Sequence, residues 1–204
     1  MTMDQETLFT GSKWDILKLL GQKKMSPIEL AKKSGTSMAN ISQQLRFLEM
    51  AGIVTSQRIS NRDKGQPRIL YSLSGNNSFL ISVAPGFVNK GLQSLNEREK
   101  AILKIWFYEH RDRKYALERA FYSLDKYLPE IEGVGLDSSN GSNGTLTLTV
   151  VSNNGLANKG LSDMKIDQPN GQKETVKFKV VKQNELKQPN KYYGIYDPQI
   201  LFGG

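Results

Sequence analysis

The stretch from Ser26 to Leu73 limits the possible folds of this chain more than any other part. It opens SPIELAKKSGTSMANISQQLRFLEMAGIV and continues TSQRISNRDKGQPRILYSL. Ser26 before Pro27 reads as a helix start. A serine oxygen can accept from orphan backbone amides, and proline suits a first turn that needs no amide donor. Glu29, three residues after Ser26, can complete a capping box. Ile28, Leu30 and Ala31 are the apolar residues of this short helix. Lys32 and Lys33 sit at its C-terminal end, where the dipole favours positive charge, and Gly35 supplies the freedom that ends it.

A second helix follows, with Ser37 at its cap. Ile41, Leu45 and Leu48 recur at i, i+4 and i+7 and make one buried stripe. The other face carries Ala39, Asn40, Ser42, Gln43 and Arg46. Planar amide and guanidinium side chains match the hydrogen-bonding edges of bases, Asn and Gln with adenine and Arg with guanine. Gly52 stops the helix. Val54 to Ile59 and Arg68 to Leu73 are β-capable runs around the turn NRDKGQP. Pro67 suits the entry to an edge strand. Arg58, Arg62, Lys64 and Arg68 cluster here against one acid, Asp63. Such a hairpin places positive charge on phosphates or in a minor groove. The expected unit is a winged helix-turn-helix. Its candidate DNA contacts are Ser37, Asn40, Ser42, Gln43 and Arg46 on the helix and Arg58, Arg62, Lys64 and Arg68 on the wing.

These residues resemble the winged-helix domain of the ArsR-type repressors and their MarR-like relatives over roughly residues 10–75. The resemblance rests on Ala31, Gly35, Ser37, Ile41, Ser42, Leu45, Leu48, Ala51, Gly52, Ile53 and Val54, followed by a basic wing ending in YSL. It implies double-stranded DNA as partner, a homodimer and a role in transcription regulation. Metal-sensing members carry a cysteine pair, and this chain has no Cys, so that trigger is not carried over. A helix pair that only packs, or that docks a protein, is the competing reading.

Composition agrees with a DNA reader without proving one. The net charge is +8 over 204 residues. Residues 1–75 hold 11 Lys/Arg against 6 Asp/Glu, and the remaining 129 hold 17 against 14, so positive charge is denser in the first part. The absence of Cys removes disulfides and thiol metal sites. No apolar run approaches the ~18 residues of a membrane span, and the first residues lack a signal-peptide core, so the cytoplasm is the expected compartment.

The fold class expected for the whole is α+β: the winged helix-turn-helix over residues 1–75, a bridge over 76–96, and a second small α+β domain over 97–204 with two helices and a small sheet. A first helix from Ser12 to Gly21 uses Trp14, Leu17 and Leu20, with Trp14 read as core in preference to a dimer seam. In the bridge, Phe79 to Val83 has strand character, Pro85-Gly86 turns it, and Phe87 to Leu95 is a helix or a connector. Phe79, Ile81, Phe87 and Leu92 would bury it, or it would serve in dimerisation. Asn96 with Glu99 starts a helix whose face is Ala101, Ile102, Ile105 and Trp106, widened by Leu103 and Phe107. Leu117, Ala120, Phe121, Leu124 and Leu128 form the stripe of the next, ended by Pro129. TLTLTVV and ETVKFKVV alternate as strands, the latter with Val176, Phe178 and Val180 on one face.

The run EIEGVGLDSSNGSNGTLTLTVV, with the end Pro198-Gln199-Ile200-Leu201-Phe202-Gly203, is similar to minimal nucleotidyltransferase domains, which in archaeal proteins can follow a winged helix. Gly141-Ser142 would fall in the loop of that family. Its two metal-holding acids would fall on Thr145 and Thr147, and two carboxylates are what hold the Mg²⁺ of phosphoryl transfer. The resemblance therefore implies a catalytically dead domain that senses a ligand or a protein partner. With His110 as the only histidine, no triad or histidine metal cluster can be built. Neither a catalytic nor a metal residue is assigned, and no cofactor is expected. Gly133 and Gly135 lack the third glycine of a dinucleotide loop. Tyr192, Tyr193, Tyr196 and Phe202 line a pocket or stack bases, or, the preferred reading, pack the end of the chain onto its domain.

Overall fold

In the computed structural model the described residues are 5–59, 68–137, 144–153, 156 and 160–202. They fall into two units, Met1–Leu95 and Asn96–Gly204. In the first unit a 3-10 turn, Gln5–Phe9, leads into α1 (Gly11–Gln22), α2 (Pro27–Ser34) and α3 (Met38–Met50). Two antiparallel hairpins follow, β1 (Val54–Ile59) with β2 (Arg68–Leu73), and β3 (Asn77–Ala84) with β4 (Phe87–Ser94).

The helix caps form as their residue types require. Ser26 Oγ accepts from Glu29 N, and a Glu29 carboxylate oxygen accepts from Ser26 N at 2.8 Å. The backbone N–H of Ser26, and then its hydroxyl, hold the Glu29 carboxyl below its ordinary value. Gly35 closes α2 at φ 66°, a left-handed conformation that glycine takes without strain. Ile16, Leu17 and Leu20 of α1, Leu30 of α2, and Ile41, Leu45 and Leu48 of α3 enclose the core. Met25 joins them. It is fully buried and pairs with Tyr71 through two backbone hydrogen bonds of 3.1 and 2.8 Å, an isolated antiparallel bridge at the foot of the wing.

Trp14 departs from its expected place in the core, for it is 47% exposed. The centre of the stripe made by Ile16, Leu17 and Leu20 lies roughly 110° around the helix from it, at about 100° per residue. The segment after the wing also departs from expectation. Phe87–Ser94 is a strand, not a helix, and Ile81 and Phe87 are exposed. The reason is the period: Val83, Ile81 and Phe79 alternate with Ser82, Leu80 and Ser78, and Gly86 (φ 78°) allows the tight reversal. At the foot of this hairpin Phe79 stacks on Phe9 with centroids 5.4 Å apart, and Leu92 packs on the helical core.

The second unit contains α4 (Glu97–Trp106), α5 (Lys114–Ser123) and a 3-10 segment, Asp125–Glu130, that holds Pro129. The strands are β5 (Gly133–Asp137), β6 (Thr145–Val151), β7 (Met164–Asp167), β8 (Lys173–Val181) and β9 (Tyr192–Tyr196), in the order β7-β8-β6-β5-β9. Only β6 and β8 are parallel among these pairs. The Asn96–Glu99 capping box starts α4. Ala101, Ile105, Ala116, Leu117, Ala120, Phe121 and Leu124 bury themselves with Leu136, Leu146, Leu148, Val150 and Val176 of the sheet. Trp106 and Phe107, expected on the apolar face of α4, are 54% and 80% exposed. They sit at the end of the helix, where the chain turns away after Trp106. Leu128 lies in the 3-10 segment beyond α5 and packs on this core only in part.

Two polar arrangements lie inside this unit. Glu174 is 4% exposed, accepts from Gln168 Nε2 at 2.6 Å and lies 3.8 Å from Arg113 Nε. Burial pushes its carboxyl above the ordinary value, against the pull of Arg113. Lys104 donates to the Gly194 carbonyl at 2.8 Å, and burial lowers its ammonium group's pKa. No helix among the described residues is long and apolar enough to cross a membrane.

Candidate nucleic-acid interface

The helix-turn-helix brings the expected reading residues to one element but not to one condition. Ser42, Gln43 and Arg46 are exposed on α3, and their side chains make no hydrogen bond to another described residue. Ser37 is the N-cap, its oxygen accepting from Asn40 N at 3.2 Å. Its hydroxyl is thereby tied to the start of the helix. Asn40 is half-buried. Its amide donates to Thr36 Oγ1 at 2.9 Å and accepts from Gln44 Nε2 at 3.1 Å, while Gln44 Oε1 accepts from Lys13 Nζ at 3.3 Å. A polar thread thus runs from α1 through α3 to the turn. Asn40 is part of it because it lies only about 80° around the helix from Leu48. Reading the face as simply opposite the apolar stripe missed this. The i, i+4 spacing of Asn40 and Gln44 was the available signal.

The strands of the wing have the bounds that the sequence suggests, with Arg58 paired to Ile69 and Ile59 to Arg68. Cross-strand partners share a face and neighbours alternate. Arg58 therefore shares a face with Ser56 and Tyr71, and Arg68 lies on the opposite face with Leu70 and Gln57. Ser56 Oγ donates to Glu49 Oε1 at 2.6 Å, so the Arg58 face is the one turned to α3. Both arginines are exposed. Arg62, Lys64 and Pro67 lie outside the described residues.

The arrangement matches a known domain. Residues 11–56 match the model of the bacterial regulatory protein, arsR family. That span covers α1, α2 and α3 and ends inside β1. A comparison of the chain with curated proteins finds no match. Residues 11–56 are accordingly similar to an ArsR-type helix-turn-helix, set in a chain of mixed helix and sheet.

No group of three or more His, Asp or Glu among the described residues could hold a metal ion. Thr145 and Thr147 are half-buried on β6, and Gly141, Ser142 and Gly203 lie outside the described residues. His110 is exposed. In the first unit, Phe9, Trp14, Leu17, Ile53 and Leu73 line an apolar cavity of about 210 Å³ with Lys18 at hand.

The glycines of GVGLD have a packing role. A Cβ on Gly135 would stand 2.6 Å from Phe202 Cε1, and one on Gly133 would stand 2.8 Å from Phe202 Cε2. The Asp197 carboxylate accepts from Leu201 N at 2.5 Å and Phe202 N at 3.1 Å, which seats the buried ring on this floor. Tyr192 meets it edge-on at 5.5 Å. The aromatic cluster thus packs the end of the described chain onto the sheet.

Proposed function

We propose that the chain is a DNA-binding transcriptional regulator that reads sequence with α3 and holds the backbone with its wing. The observation that carries this is the exposed Ser42, Gln43 and Arg46 face on the helix of a domain of the ArsR type. Gln43 pairs with adenine and Arg46 with guanine, in the manner those side chains allow. Ser37 contacts a phosphate from the start of α3, and Asn40 shapes the helix. Arg58, Arg62, Lys64 and Arg68 hold phosphates, with Arg58 and Arg68 serving opposite sides of the ribbon. A homodimer would present two such helices to a palindromic site.

The second unit dimerises the chain, binds an effector or engages another protein. In the enzymatic alternative the two metal-holding carboxylates would fall on Thr145 and Thr147, which cannot replace them. Selection of genomic fragments bound by the full chain, followed by mobility shift at several salt concentrations, tests the proposal. A preferred site bound well above random DNA is expected. Equal, weak binding to all fragments would remove sequence reading.

A further inference from the structure

The first unit holds a cavity that its own core does not fill. Leu17 and Ile53 are the buried part of its lining, and the half-exposed Trp14 and Leu73 stand where it opens. Phe9 adds an aromatic wall and is held by its stack on Phe79. The space measures about 210 Å³. Voids in a packed interior seldom exceed a water molecule, and a dry cavity of about 150 Å³ takes up benzene. This one therefore has the size of a single substituted ring and is too small for a helix or a strand.

The lining also selects the kind of ring. Lys18 is its only charged residue, and the ammonium group lies 2.9 Å from the Asp15 carboxylate. The site is thus neutral. An ionised ligand would lose hydration there without finding a free counter-charge. Asn77 supplies the polar contact. Its amide nitrogen donates to the Gly75 carbonyl at 3.4 Å, while its Oδ1 accepts from no described residue. The group left over is an acceptor, so the ligand has to bring the donor.

We propose that this cavity binds a neutral, single-ring aromatic molecule with one hydrogen-bond donor, such as an aromatic alcohol. The ring lies among Phe9, Trp14 and Leu17, and the hydroxyl donates to Asn77 Oδ1. The site joins α1 to both ends of the wing. Ile53 precedes β1, Leu73 ends β2, and Ser74 N donates to the Ile53 carbonyl at 3.0 Å. Occupancy would bear on the base of the wing, and that consequence alone rests on the proposed DNA reading.

Fluorine NMR titration of the full chain with para-fluorobenzyl alcohol tests the proposal. The comparison ligands are para-fluorotoluene, which lacks the donor, para-fluorobenzoate and para-fluorobenzylamine. Saturable binding of the alcohol is expected, about tenfold tighter than that of the toluene. Both ions should bind at least about tenfold more weakly than the alcohol. Asn77→Ala should bring the alcohol down to the affinity of the toluene. Leu73→Trp, made at a half-exposed position, should fill the space and abolish binding of both. A wild type that binds no alcohol saturably would overturn the proposal. Equal affinity for either ion would overturn the neutral site, and an unchanged alcohol affinity in Asn77→Ala would remove the assigned acceptor. Alcohol binding that survives in Leu73→Trp would place the ligand elsewhere. No DNA is present in these titrations, so mobility shift reads failure of DNA recognition separately.

Discussion

The side-chain amide of Gln44 donates to Asn40 Oδ1 at 3.1 Å, one turn away on α3. The Asn40 amide in turn donates to Thr36 Oγ1. This pair divides the polar residues of the reading helix between shape and recognition. Asn40 and Gln44 hold the helix to the turn and to α1, while Gln43 and Arg46 face outward.

Gln43→Ala and Asn40→Ala should therefore behave differently. Gln43→Ala should lower affinity for a preferred site by about 1–3 kcal/mol and leave random DNA nearly unchanged. Asn40→Ala should lower the unfolding free energy by about 1 kcal/mol and shift both affinities together. Mobility shift on both DNAs, with urea unfolding, separates the two. The division of roles fails if Asn40→Ala alone changes sequence preference.

Arg58→Ala and Arg68→Ala should each weaken preferred and random DNA alike. Each should also reduce the slope of log affinity against log salt by about one unit. Because they lie on opposite faces, the register lets only one of them share a phosphate with α3. Arg58 is the expected one, so its loss should cost more of the binding that Arg46 supports. A double-mutant cycle between Arg46 and each wing arginine, read by titration calorimetry, would show coupling only for Arg58.

Trp14→Ala should change stability by less than Ile16→Ala does. The indole is 47% exposed, whereas Ile16 is fully buried. Truncating Ile16 should cost about 2–5 kcal/mol. Chemical unfolding followed by circular dichroism gives both values, and a larger loss for Trp14 would return that residue to the core.

Gly135→Ala should destabilise the second unit by about 1–3 kcal/mol, since the added methyl group meets the Phe202 ring. Combining it with Phe202→Leu should cost less than the sum of the two single changes. Strict additivity in unfolding experiments would show that the ring and the glycine do not share this space.

The buried Glu174 gives a pH signature. Its folded-state carboxyl titrates above the ordinary 4.5, so the native state binds its proton first as pH falls. Stability of the unit should gain a contribution as pH drops through the folded value toward 4.5. Glu174→Gln should remove that gain. Urea midpoints at several pH values between 7 and 4.5 give the comparison, and parallel curves for the two proteins would exclude the contribution.

The local rules were readable from residue order alone. The Ser26–Glu29 and Asn96–Glu99 capping boxes, the stripe of Ile41, Leu45 and Leu48, and the bounds of β1 and β2 all depend on neighbours a few residues apart. The ArsR-type domain was legible for the same reason, because its signature lies in spacing within one short stretch. What lay beyond reach depended on contacts between distant residues. Whether Trp14 is core or surface depends on which arc of α1 the other helices cover. Whether Asn40 is available depends on Thr36, Gln44 and Lys13 meeting in space. The pairing of Met25 with Tyr71 joins residues 46 positions apart, and Gly135 makes sense only once Phe202 folds back over it. Sequence by itself determined the helix starts at Ser26, Ser37 and Asn96 and the bounds of β1 and β2, since caps and short-range hydrogen bonds are local. Tertiary structure decided which side chains remain exposed for a partner, because burial is a property of the whole packed surface.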